Sequence, residues 1–398
     1  MRLPSPSRVL AALLVLAPAA LAAQAAAAPA LLPAPREIVS SSAPVAIRGE
    51  VTIAPGADAA DRHAALDFAT AMRERGLAAN VTASNRGWHV TLLRASSDAA
   101  RRLLAERNLT FDAAMQDEGY VLVATHDGAT VIGHSAAGVF YGLQTLKQLI
   151  DGSGTRLTPA VIRDWPAMRW RGVQDDLSRG PLPTLEYQKR QVRLLAAFKV
   201  NTLTLYFEHT LAFASQPVIA PPGGAMSRDD VRELVAYAAK YHVTIIPQQQ
   251  TFGHLHHALK LELYADLAET PHGHVLAPGQ RGTLEFTRGV FAEIDSLFPS
   301  PFVHLGADET FELGKGRTRP LTDSLGLGAV YIDYVRDIVE TVRRPGKRYL
   351  FWGDIAMNSP ELVSRLPRDL IAVGWEYGAR NGFDRLLRPF IAAGMETW

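Results

Sequence analysis

The chain has 398 residues, of which 47% are hydrophobic, so it is long enough for two or three domains with buried cores and is not disordered as a whole. Its 41 lysines and arginines balance 40 aspartates and glutamates, and this leaves no surplus charge for nucleic acid or an anionic membrane surface. The absence of cysteine excludes disulfides, thiolate metal sites, cysteine nucleophiles and an acylated lipoprotein anchor.

The first 23 residues have the pattern of a secretory signal peptide. Arg2 and Arg8 precede an apolar run from Val9 to Ala23, and we expect cleavage near Ala22. A membrane anchor is the weaker alternative, because it needs about 20 apolar residues and Pro18 interrupts this run. The sequence therefore predicts a periplasmic or secreted protein with no membrane segment after the signal is removed.

Residues 31–158 alternate short strand signals with amphipathic helices, which predicts a small, non-catalytic α+β domain. The predicted elements are strands at 51–53 and 88–93, a helix at 63–75, and a hairpin over 120–132. In the hairpin, Asp127-Gly128 would supply the positive φ of a tight turn. Ser135 is placed to cap a helix whose apolar face includes Val139 and Leu143.

Residues 164–398 repeat strand, loop and helix signals at the interval of βα units. Strands are predicted at 170–177, 201–207, 243–249, 302–307, 349–352, 370–375 and 395–398. Helices are predicted at 185–198 and 231–241, with start signals at Ser227 and at Ser359-Pro360. About seven such units, with no glycine-rich phosphate loop, favour a (β/α)₈ barrel over a doubly wound sheet. The eighth strand is missing, so we expect an incomplete or truncated barrel.

The clearest site signal is the segment from Phe302 to Glu309, because barrel active sites lie at the carboxyl ends of the strands. Strand alternation directs Val303, Leu305 and Ala307 toward the helices. It directs the other set, His304, Gly306 and Asp308, into the barrel interior. Glu309 can join Asp308 only if the strand ends and the chain turns. Two neighbouring carboxylates repel, which raises the pKa of at least one and suits it to donate a proton. The alternative is that Asp308 caps a helix and Glu309 lies in solvent.

The segment His304 to Glu309 resembles the His-x-Gly-Gly-Asp-Glu signature of glycoside hydrolase family 20, the exo-acting β-N-acetylhexosaminidases, with Ala307 in place of the second glycine. Other segments also resemble parts of that family. Arg171-Gly172 with residues 176–179 is similar to its first barrel strand, residues 198–201 to the approach to its second, and residues 247–254, with Phe252 in place of proline, to its third. Residues 138–146 are similar to its non-catalytic domain. Residues 308–314 resemble the hexosaminidase D-like branch.

The resemblance implies an exo-acting β-N-acetylhexosaminidase that needs no cofactor or metal and acts on oligosaccharides or glycoconjugates ending in N-acetylglucosamine or N-acetylgalactosamine. The nucleophile would be the substrate's own 2-acetamido oxygen, an exception to the scheme with two flanking carboxylates. Glu309 would protonate the leaving oxygen and then deprotonate water, while Asp308 would orient the acetamido group and offset the developing positive charge.

The resemblance also assigns residues around this pair. Arg179 would bind the 3- and 4-hydroxyls of the sugar, with an ion pair to Asp175 or Asp176 as its structural alternative. The acetamido methyl and the sugar's apolar face would lie against two tryptophans, Trp352 and Trp375. His254 would bind substrate and belong to a polar network that tunes Glu309, together with Glu208 or His209 and supported by His304.

Two departures from the family pattern favour a weakly active or non-catalytic sugar-binding relative as one alternative. Glu208-His209-Thr210 stands where the family has an acidic stretch, and the family's acetamido-binding tyrosine and eighth-strand tryptophan would lie beyond Trp398.

Two further alternatives involve different chemistry. A metal-dependent barrel hydrolase would use the histidines of His254-Leu255-His256-His257, with further ligands from His209, His304, Asp308 and Asp354. A conventional retaining glycosidase would pair Glu309 with Glu376 and would hydrolyse β-glucosides that lack an acetamido group.

Overall fold

Two β-sheets organise the computed structural model, which describes residues 29–41, 43–379 and 382–398. The predicted signal peptide, residues 1–23, lies outside the described residues. The first sheet is built from strands between residues 37 and 164, and the second from strands between residues 172 and 373.

Nine strands lie among the described residues up to Asp164. They are β1 (Glu37–Ser40), β2 (Val45–Ala46), β3 (Val51–Ile53), β4 (Ala79–Val81), β5 (Trp88–Arg94), β6 (Tyr120–Ala124), β7 (Gly128–Gly133), β8 (Arg156–Leu157) and β9 (Ala160–Asp164). Seven of them form a mixed sheet in the order β1-β9-β6-β7-β5-β3-β4, and β2 pairs with β8. Strand β9 belongs to this sheet although it begins after residue 158, where we placed the end of the first domain.

Three helices accompany this sheet: α1 (Ala59–Glu74), α2 (Asp98–Glu106) and α3 (Ala136–Leu149). As predicted, the Ser135 hydroxyl caps α3 by accepting the Gly138 N–H at 3.1 Å. The hairpin β6–β7 also forms, and Gly128 has the positive φ that we predicted for this turn, at 159°. Glycine is required there because a Cβ would lie 2.3 Å from the carbonyl oxygen of His89.

The second sheet has six parallel strands in sequential order, as βα units produce. They are β10 (Gly172–Asp176), β11 (Thr202–Phe207), β12 (Thr244–Gln249), β13 (Phe302–His304), β14 (Arg348–Trp352) and β15 (Ile371–Val373). The predicted seventh strand makes one bridge, from Thr397 to Ala372. This curled parallel sheet behind a small α+β unit confirms the predicted (β/α)-barrel architecture.

The barrel helices are α4 (Leu185–Ala197), α5 (Arg228–Lys240), α6 (His256–Leu259), α7 (Thr283–Leu297), α8 (Arg319–Leu325), α9 (Leu327–Val342) and α10 (Asp384–Ala392), with 3₁₀ turns at 262–267, 356–358 and 360–365. Ser227 caps α5 through the Asp230 N–H, as predicted. The start at Pro360 gives only a 3₁₀ turn, because Pro367 disfavours helical backbone at Leu366. In the described part of the chain, every helix is too short or too polar to cross a membrane.

The inside of the barrel is apolar toward the amino ends of its strands. Ile246, Phe302, Leu350 and Ile371 are each at most 3% exposed and form one cluster, against which Trp170 and Trp398 pack. Burial of such side chains stabilises the fold by roughly 1.5–3 kcal/mol each. Because this cluster fills the lower barrel, the polar side chains of the same strands collect at the opposite, carboxyl end.

A buried polar network joins the first sheet to the barrel. The Lys199 ammonium, at the end of α4, lies 2.8 Å from the Asp164 carboxylate of β9 and 2.9 Å from the Tyr120 hydroxyl of β6. Tyr120 in turn donates to Asp164 at 2.8 Å. Burial lowers the pKa of Lys199, which Asp164 partly offsets. Removing one partner would leave a buried charge unpaired, so this network fixes how the two sheets are docked.

Candidate active site

The candidate site lies at the carboxyl ends of the six strands of the barrel sheet. The nine residues selected from the sequence all follow or end these strands: Arg179 after β10, Glu208 and His209 after β11, His254 after β12, His304, Asp308 and Glu309 at β13, Trp352 ending β14 and Trp375 after β15. A cavity of about 370 Å³ opens beside them and is lined by Glu208, His254, Glu309 and Phe311, among others.

The backbone after β13 brings Asp308 and Glu309 together. The strand ends at His304, and Gly306, Ala307 and Glu309 all have positive φ, at 71°, 71° and 48°. Left-handed backbone turns the chain. Glu309, which has the opposite strand parity to Asp308, can therefore join Asp308 at the site. Ala307 adopts this conformation at a cost of about 1–2 kcal/mol. The buried Tyr331 hydroxyl holds it by donating to the Ala307 carbonyl at 2.8 Å.

His254 lies between three carboxylates. Its Nε2 is 3.2 Å from Asp308 Oδ2 and 3.3 Å from Glu309 Oε2, and its Nδ1 is 4.0 Å from Glu208 Oε1. Burial alone would lower the pKa of His254, but the Asp308 and Glu208 carboxylates outweigh burial and raise it. His254 therefore favours its protonated form and places a positive charge beside Glu309.

Asp308 is held ionised by its neighbours. Burial would raise the pKa of this carboxyl, but His254 and the Gln250 side-chain amide, which donates to Oδ1 at 2.9 Å, lower it below its ordinary value. Asp308 is therefore not the acid at which repulsion between neighbouring carboxylates raises the pKa. The rise occurs at Asp354 instead, where burial and then the Asp308 charge raise the pKa to about 6.

Arg179 is half exposed and forms the ion pair that we set as the alternative to its sugar-binding role. Its guanidinium lies 3.3 Å from the Asp176 carboxylate. It also donates to the Tyr206 hydroxyl at 2.9 Å and to Glu208 at 3.4 Å, so it joins the polar network of the barrel mouth. A guanidinium has five N–H donors, and those facing solvent stay available to sugar hydroxyls.

The two tryptophans contact different members of the site. Trp352 packs on the buried His304 ring with centroids 4.6 Å apart. Burial lowers the pKa of His304 to about 3, so this ring is neutral beneath Asp308. Trp375 lies next to Asp354, and its indole partly offsets the rise in the pKa of that carboxyl. Both indoles are thus at the barrel mouth near the two acids.

His209 does not join the network around Glu309. Its ring stacks on His257 with centroids 3.7 Å apart and planes within 17°. The reason is alternation: Tyr206 and Glu208 share one face of β11 and its extension, directed into the barrel, whereas Phe207 and His209 have the opposite parity. The supporting role that we assigned to His209 beside Glu309 therefore lacks the contact it requires.

Three site residues were missed or misassigned by sequence reasoning. Tyr206 and Gln250 link Arg179 and Glu208 to Asp308 through hydrogen bonds of 2.8–3.1 Å. Their signal was available, because both have interior parity near strand ends, and Gln250 ends a run of three glutamines. Asp354, considered only as a metal ligand, accepts the backbone N–H of Glu309 at 3.1 Å.

Asp354 gives a prediction about stability. Its pKa of about 6 in the fold exceeds the ordinary value of 3.8, so the folded protein keeps a proton that the unfolded chain loses, and stability falls as pH rises between these values. The loss amounts to about 3 kcal/mol by pH 7. The side chain introduced by Asp354→Asn cannot ionise, so the variant does not lose this stability. We expect the melting temperature of the variant minus that of the wild type to increase by roughly 5 °C from pH 4 to pH 7.5 in thermal melts.

The matched control for this prediction is Asp323→Asn. Asp323 is an exposed aspartate of α8, with 73% of its side chain accessible. Its difference from wild type should stay flat over the same pH range. A difference between Asp354→Asn and wild type that does not change with pH would contradict the assignment.

The geometry bears on the two alternative chemistries. The retaining alternative needs Glu376 as a nucleophile, but this carboxylate forms an ion pair with Arg385 at 2.7 Å and accepts the Gly378 N–H. The metal alternative needs His254 and His256 together. Within the described ranges, the group of side chains whose ligand atoms converge is a different one, Glu208, His209 and His257.

The fold and this acidic strand-end site define a (β/α)-barrel protein of the glycosidase type. A family model described as "Glycosyl hydrolase family 20, catalytic domain" matches residues 168–388, and one described as "Glycosyl hydrolase family 20, domain 2" matches residues 28–165. The chain therefore belongs to glycoside hydrolase family 20, which confirms the family resemblance seen in the sequence.

Individual relatives agree with the family. The chain is 28% identical over 286 residues to a beta-hexosaminidase of Porphyromonas gingivalis, covering 61% of this chain and 36% of that protein. It is 27% identical over 331 residues to a beta-hexosaminidase of Vibrio furnissii, covering 69% and 52%. It thus spans about a third to a half of these relatives. The solved N-acetyl-beta-hexosaminidase of Streptomyces plicatus shares the fold, with a TM-score of 0.73, 22% identity, and coverage of 92% and 73%.

Proposed function

We propose that this protein is an exo-acting β-N-acetylhexosaminidase that removes terminal N-acetylglucosamine or N-acetylgalactosamine from β-glycosides by substrate-assisted, retaining catalysis. The observation that carries the proposal is that His254 Nε2, at the mouth of the barrel, lies within 3.3 Å of a carboxylate oxygen of both Asp308 and Glu309. Membership of glycoside hydrolase family 20 and relatives named beta-hexosaminidase support it.

In this mechanism Asp308 handles the acetamido group. A carboxylate with a lowered pKa stays ionised and accepts hydrogen bonds, so Asp308 accepts the acetamido N–H and turns the acetamido oxygen toward the anomeric carbon. The oxygen attacks, the glycosidic bond breaks, and a positively charged oxazolinium-like intermediate forms. The negative charge of Asp308 stabilises that charge. No second carboxylate has to stand about 5–5.5 Å away as a nucleophile.

Glu309 moves the proton. Its side chain is 38% exposed at the cavity, which a leaving group and then a water molecule can reach. It protonates the leaving oxygen as the bond breaks and later takes a proton from the attacking water. After the first transfer Glu309 is a carboxylate, and the protonated His254 at 3.3 Å stabilises it. Glu208 on the other side of His254 keeps that imidazole charged.

The remaining residues position the sugar. Arg179 presents outward-facing N–H donors to ring hydroxyls while Tyr206 and Glu208 hold its inner edge. Trp352 and Trp375 offer apolar faces to the acetamido methyl and the sugar ring. Asp354 holds the strained backbone of Glu309 in place by accepting a hydrogen bond from the Glu309 N–H. Precise positioning matters, because a misplacement of about 1 Å is enough to slow such a step a hundredfold.

The proposal is tested by substrate choice. The purified protein should hydrolyse 4-nitrophenyl N-acetyl-β-glucosaminide or the corresponding galactosaminide and release the sugar first as its β-anomer, which proton NMR detects. On 4-nitrophenyl β-glucoside, which lacks the internal nucleophile, we expect at least a hundredfold lower kcat/KM. Comparable rates on both substrates, or sugar binding without turnover, would contradict the proposal.

We also propose export and a place in the hexosaminidase D-like branch. Both rest on sequence alone: export on the charged and apolar pattern of residues 1–23, and the branch on residues 308–314.

A further inference from the structure

A second polar cluster lies beside the site, on the outer side of Glu208. One potential ligand atom from each of Glu208, His209 and His257 lies within 4.8 Å of the other two. Glu208 and His209 follow β11, and His257 lies in the first turn of α6, so two separate chain segments supply the group. Neither the acid pair nor His254 is part of it.

The buried histidine of this cluster has an unused hydrogen-bonding atom. His209 is only 6% exposed, and its Nδ1 has no hydrogen-bond partner. A buried polar atom without a partner is destabilising by about 1–3 kcal/mol, so such an atom calls for an explanation. The stacked ring of His257 gives His209 Nδ1 no hydrogen bond, because it presents its face and not a ring nitrogen.

The donor set of this cluster suits a transition-metal ion. His209 Nδ1 has no hydrogen-bond partner, and an unprotonated imidazole nitrogen is a metal ligand. Two imidazoles and one carboxylate form a common three-ligand donor set for zinc, which leaves a fourth position for water.

We propose that Glu208, His209 and His257 bind a divalent transition-metal ion, with zinc as the best match to these ligands. Tetrahedral zinc ligands stand roughly 3.4 Å apart, and the ligand atoms here lie within 4.8 Å of one another. The two stacked rings have to rotate out of their parallel arrangement so that a lone pair of each points at the ion. The metal-hydrolase alternative considered above needs His254 and His256 together, and neither of them belongs to this cluster, although His209 and His257 were among its candidate residues.

The position of the cluster gives the ion a regulatory effect, and this step rests on the proposed function. Glu208 Oε1 now accepts from the Tyr206 hydroxyl at 2.8 Å and faces Arg179 and His254. A bound cation would draw Glu208 outward, away from the Tyr206 hydroxyl and the Arg179 guanidinium that it now holds in place. Zinc is therefore expected to inhibit hydrolysis by occupying a site outside the sugar pocket.

The local charges also predict how binding responds to substitution. The Lys260 ammonium lies 3.4 Å from His257 Nδ1 and repels a cation at this site. Lys260→Met should therefore tighten zinc binding severalfold. His257→Ala removes a ligand and should weaken it at least tenfold, with His257→Gln as a second variant if the first is unstable.

The experiment is a zinc titration of the chelator-treated full chain by equilibrium dialysis, without substrate. We expect one zinc per chain in the wild type, and His256→Ala is the matched control. His256 is the exposed neighbour of His257, and its Nδ1 lies 3.1 Å from the His272 carbonyl, outside the cluster. No stoichiometric binding, equal losses in His256→Ala and His257→Ala, or weaker binding in Lys260→Met would each overturn the site.

Hydrolysis is measured separately, so that the two proposals fail in distinguishable ways. Zinc bound at one equivalent by a protein that never hydrolyses N-acetylhexosaminides would leave the metal site standing and remove the proposed function. In an active protein, zinc inhibition that persists unchanged in His257→Ala would overturn the regulatory effect.

Discussion

Glu309→Gln is expected to lower kcat on an unactivated substrate, such as an N-acetylglucosamine disaccharide, by about a thousandfold. Glutamine keeps the size of the side chain but has no proton to give, and the leaving sugar alkoxide is a poor leaving group without one. This corresponds to about 4 kcal/mol of lost transition-state stabilisation. With a 2,4-dinitrophenyl leaving group, which departs readily without a proton, bond cleavage should be much less affected.

The contrast between leaving groups is the measurement that identifies the proton donor. Steady-state kcat and kcat/KM are compared for the disaccharide and the dinitrophenyl glycoside. Glu312→Gln is the matched control: it lines the same cavity three residues further on, but its carboxylate accepts the His274 backbone N–H. It should retain wild-type rates within about threefold. A loss in Glu309→Gln that is equal for both substrates would remove Glu309 from the donor role.

Much of the barrel could be predicted because its chemistry is periodic. Strand alternation predicts Val303 and Leu305 toward the helices and His304 inside the barrel. In the structure Val303 and Leu305 belong to the main core cluster, whereas His304 packs on Trp352. The predicted strand at 302–307 was too long, since it ends at His304. Hydrophobic alternation continues through Ala307, but left-handed backbone at Gly306 and Ala307 stops strand pairing, and side-chain polarity does not encode φ.

The site also has residues that could be predicted from the sequence and residues that could not. Asp308 and Glu309 could be found from one segment, and Tyr206 could have been found from parity alone. The contact between Asp354 and the Glu309 N–H could not, because it joins loops 45 residues apart in the chain and depends on the turn at Glu309. His209 shows the opposite failure. It is adjacent to Glu208 in sequence, yet one step along a strand reverses the side-chain direction and sends it to His257.

Asp308→Asn is expected to lower kcat on 4-nitrophenyl N-acetyl-β-glucosaminide by roughly a hundredfold to a thousandfold. The negative charge is lost where the oxazolinium-like charge develops, and an asparagine amide in this position presents a donor as readily as an acceptor. A good leaving group does not rescue this variant, because the defect lies in the nucleophile. That pattern is the reverse of the one expected for Glu309→Gln.

The same substitution should move the pH profile. Asp308, 3.2 Å from His254, is the main group that raises the pKa of this histidine against burial. Without that charge the pKa of His254 falls, the imidazole becomes neutral at lower pH, and the residual activity should decline at lower pH than in the wild type. The profile of kcat between pH 4 and pH 9 measures this shift, with Asp323→Asn as the control. A reduced rate with an unmoved alkaline limb would mean that His254 does not act in its protonated form, and the arrangement of charges proposed around Glu309 would have to be abandoned.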